Sequence, residues 1–226
     1  MPPWPSDSRS SFVGSDFSYE DVSGRDLAAD AYRGFWRTPA ARPDDPASPT
    51  TVTYSYPTLS VYGVSLQRAL LGGVGSLEAG LYGSREDESG FDPTVPNSQW
   101  RYLAGYQTQP WADLLVGVQA YAEVMRDYPA YQASLPAGSS AADEVRLVTT
   151  LRLTRWLDYQ AWRLSLFVAL SPTDDDYLFQ PEVSYKVTDS LGLTCGGNLF
   201  GGSRSTTFFG QLDRNDNVYL SLRFDF

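Results

Sequence analysis

From Thr51 to the last residue, apolar and polar side chains alternate in short segments separated by turn-forming residues. Such period-2 alternation sends successive side chains to opposite faces of a β-strand, so each segment predicts a strand with one apolar and one polar face. The first segment, Thr58 to Gln67, carries Leu59, Val61, Val64 and Leu66. In the second, Leu77, Ala79 and Leu81 oppose Glu78, Gly80, Tyr82 and Ser84. Trp100, Tyr102, Ala104 and Tyr106 then oppose Arg101, Leu103, Gly105 and Gln107, and Val118, Ala120 and Val124 oppose Gln119, Tyr121 and Glu123. Beyond a long loop, Val145, Leu147, Leu151 and Leu153 alternate with Arg146, Thr150, Arg152 and Thr154. Trp162, Leu164, Leu166, Val168 and Leu170 face away from Arg163, Ser165 and Phe167. Tyr177, Phe179, Val183 and Tyr185 face away from Gln180, Glu182, Ser184 and Lys186, with Pro181 costing one ladder hydrogen bond. Leu191, Leu193, Cys195 and Leu199 lead the next segment. The last sets Val218, Leu220, Leu222, Phe224 and Phe226 against Asn217, Tyr219, Ser221, Arg223 and Asp225.

The connections alternate in length. Tight turns are predicted at Leu71–Gly75, Pro110–Asp113, Leu157–Tyr159 and Thr188–Ser190, and long polar loops at Arg85–Ser98 and Asp127–Asp143. An antiparallel up-and-down order places all the tight turns at one end of the sheet, the asymmetry of a transmembrane barrel with short turns on one side of its membrane. The fold class is therefore all-β, an antiparallel up-and-down transmembrane β-barrel of about nine or ten visible strands. An odd count leaves two alternatives open. Either Thr51–Tyr56 or the leader supplies a further strand, or more strands lie upstream and this is the C-terminal part of a larger barrel.

Residues 1–50 have another texture. Prolines at positions 2, 3, 5, 39, 43, 46 and 49 bracket a short segment, so 1–50 reads as a largely irregular leader and linker before a barrel over 51–226. Ser23 is placed to cap a short helix over Leu27, Ala28, Ala31 and Tyr32.

The ending NVYLSLRFDF resembles the C-terminal closing strand of bacterial outer-membrane β-barrels, whose terminal Phe follows apolar residues at every second position. The resemblance implies a bacterial outer-membrane location, with membrane lipid and the barrel-assembly machinery as partners. It also implies that Leu220, Leu222, Phe224 and Phe226 form the assembly signal. Within Ser6–Asp26, the core GSDFSYED resembles outer-membrane lipoprotein-sorting proteins of the LolA-like type. It covers too little of the chain to carry over lipid binding, and implies at most a cell-envelope relationship.

Composition narrows the classes. Mean hydropathy is −0.31, as expected when half of each strand faces water, and no apolar run is long enough for a transmembrane helix. Aromatic residues make up 14% of the chain, enough for girdles at membrane interfaces. A net charge of −10 argues against nucleic acid as a partner. The single cysteine, Cys195, excludes an intrachain disulfide, and on the apolar face it reads as a small hydrophobe. The N-terminus MPPWPSDSRS carries no signal-peptide pattern, so export would need a leader removed or lying further upstream.

There is no histidine, which removes His-based nucleophile activation and imidazole metal ligands. The chain is accordingly read as a non-enzyme without a cofactor. Charges on the polar face are mixed: Arg101, Arg146, Arg152, Arg163, Lys186 and Arg223 against Glu78, Glu123, Glu144, Glu182 and Asp225. They read either as a polar path for small solutes or as a salt-bridged filling of a narrow barrel. Acidic Glu86–Glu88 and Asp174–Asp176 lack the spacing of a calcium loop and read as solvated tips, so no metal is expected. The leading functional reading is a passive pore, transport-associated or structural barrel of the envelope. Its rival is a soluble all-β binding protein, lipocalin-like or a sandwich, with the Leu/Val face turned inward. A second alternative, lipid or lipoprotein sorting, rests on the leader.

Overall fold

The computed structural model describes residues 13–21, 25–45, 48, 50–136, 138–139 and 141–226. Its strands are β1 Val13–Asp21, β2 Arg25–Phe35, β3 Ala40–Pro43, β4 Val52–Ser55, β5 Thr58–Leu70, β6 Gly73–Ser84 and β7 Gln99–Trp111. They continue with β8 Leu114–Met125, β9 Val145–Leu157, β10 Trp162–Ser171, β11 Asp176–Lys186, β12 Leu191–Gly202 and β13 Asn217–Phe224. Eleven of these form one sheet in the order β1-β2-β5-β6-β7-β8-β9-β10-β11-β12-β13, while β3 and β4 pair with each other. The architecture is thus all-β, antiparallel and up-and-down. Among the described residues no ladder joins β1 to β13, so the expected closure into a barrel is not seen and the sheet is open.

All nine strands expected after residue 57 are present, as β5 to β13. The two extra strands come from the first fifty residues. Leu27–Tyr32, spaced for a helix, lies instead in β2, where Leu27 pairs with Tyr19 and Ala31 with Ser15. Here pairing with a neighbouring strand overrides a weak local helical preference. Thr51–Tyr56 does supply a strand, but β4 pairs with β3 outside the large sheet. Most of Ser6–Asp26 outside β1, and part of the proline cluster near residue 46, lie outside the described residues.

The turns follow from local chemistry. Leu71 and Gly72 both take left-handed backbone angles, φ 49° and 76°, and close a two-residue hairpin between β5 and β6 of the type that matches strand twist. Glycine at the second position makes this conformation cheap. The connection between β10 and β11 is the short stretch 172–175. The β8–β9 loop carries a short helix, α1, Tyr128–Ser134.

The chain packs as two compact units. The first comprises Met1–Leu66, Glu78–Tyr102 and Glu123–Glu144, with Trp36, Ala40, Leu59 and Val95 buried. In it, the Arg42 guanidinium bridges to Glu86 at 3.1 Å, and Glu86 also accepts the Thr58 N–H at 3.0 Å. The second comprises Gln67–Leu77, Leu103–Ala122 and Val145–Phe226. Its core is Val148, Ala169 and Phe209, flanked by Tyr121, Phe167, Leu178 and Phe200.

Candidate functional site

Registers across β9 to β13 fix which side chains share a face. Arg152 pairs with Phe167, which pairs with Gln180; Thr154 pairs with Ser165, which pairs with Glu182. Trp156 pairs with Arg163 and Arg163 with Ser184, which pairs with Thr194, which in turn pairs with Ser221. Residues directly opposite in a ladder point to the same side of the sheet. One face of these five strands is therefore mainly polar along this stretch. The same registers align Leu151, Val168 and Phe179, then Val183, Cys195 and Leu220, on the other face.

Large apolar side chains are exposed on the second of these faces. Val218, Leu220, Leu222 and Phe224 are 81%, 72%, 69% and 64% exposed. Leu164, Leu170 and Val183 are also among the exposed large hydrophobics, as are Trp162 and Tyr177 near strand ends. Trp162 packs against Tyr185 with ring centres 4.3 Å apart and the planes tilted by 31°. The proposed assembly residues thus sit on the outermost strand, Leu220, Leu222 and Phe224 in β13 and Phe226 just beyond it.

The polar face is tied by side-chain bonds across strands. Arg163 donates from Nη2 to Glu182 Oε1 at 2.7 Å and to Ser184 Oγ at 3.2 Å. Tyr219 donates its hydroxyl to Glu182 Oε2 at 2.8 Å, so Glu182 is held from two sides. Gln180 Nε2 donates to Asn198 Oδ1 at 2.5 Å, and Asn198 Nδ2 to Asn217 Oδ1 at 2.8 Å. The Gln180–Asn198 bond crosses the point where Gln180 and Pro181 drop out of the β11–β12 ladder. Proline has no N–H to donate there, and the side chains supply a link where the backbone loses one.

The structure brings most of the expected lining residues into ion pairs. In the first unit Arg101 lies 3.4 Å from Glu123, its guanidinium 3.9 Å from the centre of the Tyr82 ring. In the second, Arg146 bridges to Asp174 at 2.7 Å and Lys186 to Asp189 at 2.7 Å. Arg223 bridges to Asp225 at 2.9 Å, close to the end of the chain. Arg152 differs. Among the described residues it has no carboxylate partner, and its guanidinium stands 5.4 Å from the Phe167 ring.

Two cavities adjoin Arg152, both within the second unit. One of 530 Å³ is bordered by Arg152, Trp156, Arg163, Gln180, Asn198 and Tyr219. The other, of 380 Å³, is bordered by Gln67, Gln107, Gln119, Arg152 and Phe167.

The segment after β12, residues 203–216, carries no strand alternation and reads from its sequence as a connection. It folds onto the polar face instead. Asp176, at the start of β11 and only 4% exposed, accepts the Phe209 N–H at 2.7 Å and the Gly210 N–H at 3.4 Å. That anchor seats the Phe209 ring against Val148 and Ala169, and Phe208 meets the Arg146 guanidinium at 5.4 Å. At this end the inner face is thus apolar and covered. The adjacent Phe208 and Phe209 in an otherwise small and polar stretch were the available signal.

The acidic clusters have protein donors. Asp87, read as part of a solvated tip, is buried and accepts the Gly90 and Asp92 N–H groups at 3.0 and 2.7 Å. In the β3–β4 connection, the Thr50 hydroxyl and the Thr51 and Thr50 N–H groups hold the Asp44 carboxyl well below the usual range. Each of these bonds favours the charged form.

No protein-family model matches the chain, and no curated protein matches it. Its fold is similar to that of the outer membrane channel DcaP of Acinetobacter baumannii, with a TM-score of 0.52 and 11% identity. The match covers 93% of this chain and 59% of the channel's chain. At that identity the likeness is one of fold.

Proposed function

We propose that this chain forms the wall of an outer-membrane β-barrel, its apolar face toward lipid and its polar face along a water-filled path for small polar solutes. The observation that carries the reading is the segregation across β9–β13. Register aligns one apolar face, exposed at Leu164, Leu170, Val183, Leu199 and along β13, with one hydrogen-bonded polar face. A soluble sandwich or lipocalin-like protein would bury the Leu/Val face, whereas here Val218, Leu220 and Leu222 are exposed. The fold shared with an outer membrane channel supports the same reading.

In hydrocarbon, an unpaired strand edge leaves N–H and C=O groups without partners, so the edges at β1 and β13 are paired once the sheet is in the membrane. Leu220, Leu222, Phe224 and Phe226 then serve as the segment presented to the barrel-assembly machinery. The chain's role is passive: it conducts or supports and carries out no chemistry of its own.

The test is expression with an export signal, followed by fractionation, gel mobility with and without heating, and conductance in a planar bilayer. The expected result is outer-membrane recovery, heat-modifiable mobility and discrete conductance steps. A chain that stays monomeric at high concentration without detergent contradicts the membrane reading.

A further inference from the structure

We propose that the cavity beside Arg152 is a binding site for an acidic sugar, a small polyol bearing one carboxylate. The inference rests on the pore reading above, which supplies access to this face. Six basic residues were expected on the polar face, and five of them are neutralised by carboxylates at 2.7 to 3.4 Å. Arg152 is the sixth. Its charge is exposed to the cavity and only its ring contact with Phe167 holds it. A lone guanidinium in a concave polar site attracts an anion and offers a planar fork that fits a carboxylate.

The rest of the lining says what the anion carries. A bare inorganic anion needs donors alone, but this cavity also presents acceptors. Glu182 and the amides of Gln180 and Asn198 border it together with the Tyr219 hydroxyl. The bond from Gln180 Nε2 to Asn198 leaves Gln180 Oε1 as an open acceptor among the described residues. Amides that donate and accept suit a row of hydroxyls, which do the same. Trp156 adds a broad apolar surface for the C–H face of a sugar ring. At 530 Å³ the cavity falls in the range of small-molecule sites, roughly 300–1,000 Å³.

The test uses the full chain folded in detergent, with glucuronate as probe and glucose and acetate as its two halves, followed by titration calorimetry. The same preparation is placed in a bilayer for conductance. Glucuronate is expected to bind saturably and more tightly than either half. Arg152→Gln should weaken it about tenfold or more, the worth of a charge-assisted bond, while Arg152→Lys retains part of the affinity. Heat-modifiable mobility shows that each variant is folded. Acetate binding as tightly as glucuronate, or glucuronate binding unchanged in Arg152→Gln, overturns the acidic-sugar site. So does conductance without glucuronate binding, and that result leaves the pore standing. Arg152-dependent binding without any conductance keeps the site and overturns the pore.

Discussion

At the scale of single residues, two carboxylates hold segments in place by accepting backbone N–H groups. Asp176 is the more consequential, because both of its backbone donors, Phe209 and Gly210, are buried. Asp176→Ala leaves them without a partner, a cost of about 1–3 kcal/mol. The expected readout is faster protease cleavage within 203–216, with the strands still resistant; unchanged cleavage would show that Phe209 packing alone holds the segment. Asp44 works at an exposed site. Its carboxyl is held below the ordinary value near 4 by the Thr50 hydroxyl and by the Thr51 and Thr50 N–H groups. A depressed native value means the stabilisation is complete above the unfolded value and fades only as pH falls through the native one. Amide-exchange protection factors at the Thr50 and Thr51 N–H groups should therefore be the same at pH 7 and pH 5 and decline only in stronger acid. Asp44→Ala should remove that protection at every pH.

At the scale of elements, the faces of β9 to β13 make a directional prediction. Leu166 in β10 lies on the apolar face and pairs with Leu153 and Pro181. Ser165, one residue earlier, lies on the polar face opposite Thr154 and Glu182. If the apolar face meets lipid, Leu166→Arg costs about 2–4 kcal/mol near the bilayer midplane. Ser165→Arg, beside Glu182, should be close to neutral. Denaturant titration of the two variants in lipid vesicles measures the difference, and equal costs would mean that the two faces share one environment. The strands themselves were legible in advance because alternation is a local signal, repeated at every second residue within each of β9 to β13. The helix expected over Leu27–Tyr32 was not, because spacing of four apolar residues is a weak cue. Pairing of β2 with β1 outweighs it.

At the scale of the whole molecule, the antiparallel up-and-down sheet is open and its fold is similar to that of an outer membrane channel. The sequence by itself determined the all-β class and nine of the eleven strands of the large sheet. Both follow from period-2 alternation and turn chemistry, which act over a few residues. It also placed Arg101, Glu123, Arg146, Arg152, Arg163 and Glu182 among the polar sets of their strands, whereas Arg155, paired with Leu164, falls on the other face. Tertiary structure alone decided which of those charges are neutralised. Arg163, Glu182 and Tyr219 meet only because three strands in register place them together, and Arg152 is left unpaired only because Phe167 and Gln180 occupy the positions beside it. It also decided that β3 and β4 form their own hairpin and that 203–216 turns inward. The Asp176–Phe209 anchor joins residues more than thirty positions apart, and no local pattern records a contact of that span. The terminal strand Asn217–Phe224 shows the division most simply. Its alternation marks two faces, but that the apolar one is left exposed follows only from how the other strands are arranged.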